Sequence, residues 1–197
     1  MIHPAKPSVF ADYLLNPINV AFENQERGEK IILLLRQHLA TQIWPVLFIV
    51  LMLLLPFVAM AVLGSVVAIP TFLKLPKLEI IFILLTWYLI VFGLAFERFL
   101  LWYFNVYILT NERIIDIDFL GIAFKRISEC RLVQVQDVTS ATSGPIETFF
   151  NYGNVFVQTA AEKPEFEFHS VPQPDSVVRE IGIQCRLEEA EQPGVVA

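Results

Sequence analysis

The chain is poor in the residue types on which small catalytic or cross-linked domains rely. Its 197 residues hold 2 cysteines and 3 histidines. Two cysteines, Cys130 and Cys185, are too few for a disulfide scaffold. Neither they nor His3, His38 and His169 fall at zinc-ligand spacing, so no metal and no cofactor is expected. Glycine is scarce, at 8 residues, and no Gly-rich phosphate loop, G-x-S-x-G elbow or H-E-x-x-H motif occurs. Charged residues make up 17% of the chain, below the roughly 25% of ordinary globular domains. The net charge is −6, the wrong sign for nucleic acid, whose binding rests on neutralising phosphates. No internal repeat is present.

What the chain has in excess is apolar residues, 55% of the total. From Trp44 to Ile69 there is no charged residue, and 13 of the 18 positions from Val46 to Leu63 are Val, Leu, Ile or Phe. At about 0.3–0.6 kcal/mol each, these favour insertion into a bilayer by roughly 4–8 kcal/mol. Pro45 suits a first helical turn, and Pro56 is expected to kink the span. A second uncharged run covers Ile80 to Phe96 and continues past Glu97 and Arg98 to Phe104. The spacing predicts a two-helix transmembrane hairpin over 43–104, with spans at about 45–69 and 79–103. Glu97 and Arg98 read as an interfacial ion pair at the end of the second span. Trp44, Arg98, Trp102 and Tyr103 mark one membrane face, the aromatic residues as a belt and the arginine by snorkelling.

The link from Thr71 to Glu79 is too short for a domain, so both termini are expected on one side. Arg27, Lys30, Arg36, Arg98 and Arg113 lie on that side, against Lys74 and Lys77 in the link, which places the termini in the cytoplasm. Both cysteines would then be reduced. Residues 1–30 contain no sustained apolar core, so no cleavable signal peptide is expected there.

Residues 1–42 read as a juxtamembrane segment. Gly28 to Gln42 (GEKIILLLRQHLATQ) fits a short amphipathic helix or an extended segment, with Ile31, Ile32, Leu34, Leu35 and Leu39 at spacings of three and four. Asp12 to Phe22 is apolar enough to lie on the membrane or to dock on the domain that follows.

After Phe104 the period becomes two. Arg113 to Phe119 (RIIDIDF) and Glu165 to His169 (EFEFH) alternate apolar and polar residues and predict half-buried strands with their acids on the wet face. Further strands are expected at Asn105–Leu109, Phe124–Arg131, Val133–Ser140 and Asn154–Thr159, separated by turn residues at Asn111-Glu112, Gly121, Ser143-Gly144-Pro145 and Asn151-Tyr152-Gly153. Short strands at this spacing make an antiparallel sandwich or barrel over 105–190. A helix from Pro172 to Glu189, with Val177, Val178, Ile181 and Cys185 as its apolar stripe, caps the sheet, and 191–197 form a tail.

Tyr107–Ile115 (YILTNERII), Gly121, Arg126-Ile127, Arg131-Leu132, Gln136-Asp137-Val138, Phe149–Val155 (FFNYGNV), Phe168, Val171-Pro172, Pro174 and Val178 resemble, in this order, the bacterial pleckstrin-homology-like membrane proteins. The resemblance covers Phe104 to Leu187. It implies an α+β membrane protein, in which the helical hairpin precedes a PH-like domain of two roughly orthogonal antiparallel sheets, seven strands in all, with one C-terminal capping helix. It implies no reaction, and it raises the expectation of self-association.

Charge then narrows the partners. From Asn105 onward 7 Lys and Arg face 14 Asp and Glu, so the domain is repelled by an anionic leaflet. Arg113, Lys125, Arg126 and Arg131 are the candidate binding residues. They either pair across strands with Asp116, Asp118 and Glu129, or form a recognition patch for an acidic segment or a lipid headgroup. Asp116 and Asp118 have the two-residue spacing of a shared cation site, a pattern that alternation on an acidic strand also produces. The reading is a non-catalytic binding and assembly module on the cytoplasmic face of a bacterial inner membrane. It engages protein partners or a second copy through edge strands and the groove beside the helix. No small-molecule substrate is evident. The alternative is a subunit of a membrane-interface enzyme or transport complex, centred on Glu97-Arg98 or Asp116-Asp118, or a lipid-headgroup-binding domain.

Overall fold

The computed structural model describes residues 11–17, 20, 22, 25–66, 76–121, 124–160 and 165–190. The chain divides into two units, Thr41–Leu100 and the remainder, Met1–Ala40 with Leu101–Ala197.

The second of these is a β unit. Strands β1 (Tyr13–Leu15), β2 (Ile31–Arg36), β3 (Val106–Thr110), β4 (Arg113–Phe119) and β5 (Lys125–Arg131) form one antiparallel sheet in that order. Strands β6 (Val135–Ala141), β7 (Tyr152–Thr159) and β8 (Glu165–Pro172) form a second one. The chain is thus α+β with antiparallel sheets.

Of the two forms expected for 28–42, an amphipathic helix or an extended segment, Ile31–Arg36 takes the extended one as strand β2. A run of five apolar residues, Ile31 to Leu35, fits helix and buried strand equally by periodicity, and the deciding factor is tertiary. Leu33 and Leu35 enter the main core, while Ile31 and Leu34 pack in a second cluster with Ile108 and Ile115. Leu14, Val20 and Phe22 cover that second cluster. The N-terminal segment therefore docks on the sheet, with Tyr13–Leu15 pairing along β2.

The main core lies between the sheets. Leu33, Leu35, Tyr107, Leu109 and Ile114 meet Val155, Val157, Phe168 and Val171, and the rings of Tyr107 and Phe168 stack at 4.6 Å. Val177 and Ile181 of the last helix, α4 (Pro174–Ala190), complete it, with Val178 and Cys185 packed alongside. This is the expected stripe. A short helix, α3 (Pro145–Phe150), bridges β6 and β7 and ends on Asn151, in the left-handed region at φ 52°. Gly153 follows, where a Cβ would lie 2.5 Å from the Ala141 carbonyl oxygen, so only glycine lets β7 approach β6 this closely.

The other unit holds most of two long apolar helices, α1 (Ile43–Val66) and α2 (Lys77–Phe104). Both are long and apolar enough to cross a membrane. The first span was expected to run to 69, and 67–69 lie outside the described residues. Helix α1 continues through Pro56. Proline has no N–H to give the carbonyl four residues back, which is that of Met52, and the indole Nε1 of Trp87 donates to this carbonyl at 3.0 Å. The next carbonyl, Leu53, accepts from the Tyr88 hydroxyl at 3.4 Å. Glu97 and Arg98, consecutive on α2, form no ion pair with each other, since side chains one apart on a helix do not face each other.

Candidate functional site

The four basic residues singled out in the sequence do not form one patch. Arg113 and Arg131 are cross-strand partners at one end of the β4–β5 ladder, and Phe119 and Lys125 are partners at the other. Six residue steps at about 3.4 Å separate the ends by about 20 Å.

Arg113 is occupied. Its Nε and Nη2 donate to the two carboxylate oxygens of Glu29, each at 3.0 Å, and its Nη1 donates to Glu129 at 2.9 Å. The Glu29 side chain is fully buried. Burial alone would raise its pKa, but the Arg113 hydrogen bonds, with those from the Glu26 backbone and the Thr110 hydroxyl, outweigh it and hold the carboxyl below its ordinary value. The surrounding Thr110-Asn111-Glu112-Arg113 turn is equally committed. The Thr110 hydroxyl accepts from the N–H groups of Glu112 and Arg113 at 3.2 and 2.9 Å. The Asn111 side chain accepts from the Lys30 N–H at 2.6 Å. The segment that carried much of the family resemblance is a lock between the β3–β4 turn and the start of β2. At the opposite end of the ladder Lys125 and Arg126 are exposed, with Arg126 opposite Asp118.

Asp116 does not lie on a wet face, whereas Asp118 is half-buried opposite the exposed Arg126. Asp116 pairs with Tyr107, and Ile114 with Leu109, all on the main-core side; the N-terminal segment covers the opposite face, so alternation no longer divides core from solvent. One carboxylate oxygen of Asp116 is buried without a hydrogen-bond partner. Desolvation, with the charge of Asp118 beside it, pushes its pKa up to about 7. Among the described residues, no group of three His, Cys, Asp or Glu side chains is placed to share an ion.

Of the residues expected at the membrane face, Trp44 and Arg98 are exposed on α1 and α2. Trp102 is instead buried, its indole N–H donating to the Gln37 carbonyl at 2.8 Å, because the β sheet draws the end of α2 into its own packing. Tyr103 lies under the Arg36 guanidinium, 4.5 Å from the ring centre.

A concave feature of the β unit lies elsewhere. A groove of about 430 Å³ runs between β6 and α4. Val135, Val138, Val178 and Cys185 give it an apolar lining, and Arg179, Arg186, Asp137 and Glu189 supply charge. Strand β6 is the outer strand of its sheet, so one row of its backbone groups is unpaired by β7. One of these, the Val138 N–H, is held by the carboxylate of its neighbour Asp137 at 2.9 Å. The sequence named the edge and the helix-side groove as a kind of surface. It could not name these residues, which meet only through the packing of α4.

A sequence model described as the bacterial PH domain matches residues 31–183. The match begins at the first residue of β2 and ends within α4. Among solved structures, a DUF1696 family protein with a pleckstrin-homology domain from Shewanella loihica PV-4 is similar at 16% identity and a TM-score of 0.32, covering 42% of this chain and 68% of that one. None of the curated proteins matches. With more than half of its length matched, the chain belongs to the bacterial PH domain family.

Proposed function

We propose that the protein is a membrane-anchored, non-catalytic binding module. Its PH-like domain, on the cytoplasmic face of the bacterial inner membrane, engages a protein segment by strand addition in the β6–α4 groove. A PH-like domain suggests a binding module in the first place. Anchoring is supported by α1 and α2, whose lengths and composition suit a bilayer. The cytoplasmic placement of both termini rests on the basic residues that flank them.

The observation that carries the reading is the edge of β6, which no strand among the described residues covers, beside an apolar, arginine-flanked groove. An edge strand offers backbone hydrogen bonds that give affinity, and the adjoining pocket gives specificity. The net acidity of the domain disfavours an anionic headgroup as the main ligand. A photoreactive residue placed at Gln136, on the groove, should cross-link a protein partner or a second copy in intact membranes, whereas one at Glu167 on β8 should not. Cross-linking from neither position removes the reading.

The near-neutral pKa of Asp116 favours one second reading, a subunit of a membrane-interface enzyme or transport complex. Under it, Asp116→Asn would abolish cellular function while leaving cross-linking from Gln136 unchanged.

A further inference from the structure

We infer that the end of the β unit at which the chain leaves it and returns is itself a lipid-contacting surface, which dips Leu120, Phe124, Ile146 and Phe149 into the headgroup–acyl boundary of the bilayer. The inference rests on the anchoring reading above and adds a specific orientation of the domain.

The antiparallel meander brings the relevant residues to one end. Register places the end of β2 (Arg36) beside the start of β3 (Val106), and the end of β4 (Phe119) beside the start of β5 (Lys125). The Trp102–Gln37 hydrogen bond ties the outgoing chain to the returning one. On one side of that tie, the Phe104 ring lies 5.5 Å from Phe119, the last residue of β4. On the other, the His38 N–H donates to the Ser170 carbonyl at 2.8 Å, and the His38 ring lies 6.4 Å from Phe150 of α3. The β4–β5 tip and α3 therefore flank the two points, near Ala40 and Leu101, where the chain passes between the units.

Both flanks expose large apolar side chains. Phe149 is 82% exposed, Phe124 71%, Leu120 61% and Ile146 47%, and no residue of α3 is buried. Single exposed apolar residues are ordinary. Here four of this size, two on each side, flank the tethering points, and exposed apolar surface concentrated in this way marks a contact surface.

Charge is arranged to match. Lys125 and Arg126 directly follow Phe124 at the tip, a pairing of aromatic and basic residues suited to an anionic interface. Two acids of this end are engaged in surface hydrogen bonds: Glu147 accepts from the Ser143 N–H at 2.6 Å, and Asp175 accepts from the Ser140 hydroxyl at 2.7 Å. Acidic residues also gather at the opposite end, where Glu29, Glu26 and Glu188 lie close enough to Glu112 to help raise its pKa, after burial as the main cause.

The test uses the unmodified full chain in phosphatidylcholine–phosphatidylglycerol vesicles. These contain a phospholipid with a photoactivatable diazirine in its upper acyl chain, and adducts are mapped by mass spectrometry. Adducts are expected on α1 and α2, on the segment from Leu120 to Phe124 and on α3, with none on the Glu129–Val138 segment. Adducts confined to α1 and α2 would overturn the inference and leave the anchoring intact. Adducts absent from α1 and α2 as well would overturn both. A second chain, Leu120→Glu with Phe124→Glu, should lose adducts at the tip several-fold and keep those on the helices; unchanged tip labelling counts against the inference. If the patch served a second copy or another protein, the tip would be shielded from lipid and yield no adducts.

Discussion

At the scale of single residues, two carboxyl groups of the β unit, Glu29 just before β2 and Asp116 on β4, are set against each other. Glu29 is buried and paired with Arg113, and removing one partner of such a pair leaves an uncompensated charge worth about 3–5 kcal/mol. Arg113→Ala should therefore lower the unfolding free energy of the β unit in mild detergent by about that amount. A Glu29→Gln, Arg113→Ala double-mutant cycle would show strong coupling between the two sites. Because the folded pKa of Glu29 lies below its ordinary value, the pair's contribution is present above the ordinary carboxylate range and fades as pH falls through the folded value. Asp116 behaves in the opposite sense. Its folded pKa of about 7 stands above the ordinary 3.8, so the folded protein holds a proton that the unfolded chain releases, and stability falls as pH rises from about 4 toward 7. Asp116→Asn should raise the Tm at pH 8 and give no gain at pH 4. A gain that does not change with pH would show that Asp116 is ionised in the fold.

At the scale of elements, the Pro56–Trp87 relation makes a sharp case. The carbonyl that proline leaves unpaired is taken up by an indole from the neighbouring helix, which is how proline is tolerated in an apolar span. Trp87→Phe should destabilise the pairing of α1 and α2 in detergent, measured by thermal unfolding. The loss should be smaller in a Pro56→Ala background, where the helix satisfies the Met52 carbonyl itself. Equal losses in both backgrounds would refute the relation. Strand β6 supplies a second case. Asp137 holds an outward N–H and blunts the edge, so Asp137→Ala should increase cross-linking from Gln136.

These elements also show how far the sequence could be read. The two apolar helices, the strands of EFEFH and RIIDIDF and the stripe of α4 were legible, because each is a local period acting on one buried face. Strand β2 was ambiguous, because a strand buried on both faces loses its alternation. Asp116 of β4 faces the core and not solvent for the same reason, since its sheet is covered twice. Arg113 looked available because Glu29 lies 84 residues earlier in the chain. The β6–α4 groove had no sequence signal beyond the general expectation of a helix beside an edge.

At the scale of the whole molecule, the PH-like domain is discontinuous. Its match starts at Ile31, yet α1 and α2 lie between β2 and β3. The outgoing and returning chain are joined by the Trp102–Gln37 hydrogen bond at 2.8 Å. A chain in which 39–101 is replaced by a short Gly/Ser linker should therefore close β2 onto β3 as an ordinary hairpin. It should give a folded β unit without detergent, detectable as cooperative thermal unfolding by circular dichroism. Failure to fold would show that the two units are energetically inseparable.

The interruption between β2 and β3 also has a consequence for biogenesis. Arg36 and Val106 are register partners, but a ribosome completes the first long before the second, and both apolar helices emerge in between. Strand β2 must wait, unpaired on its inner edge, until both helices have been synthesised. Only then can the sheet close, so under the anchoring proposed above a folded PH-like domain would record that the helices had already left the ribosome.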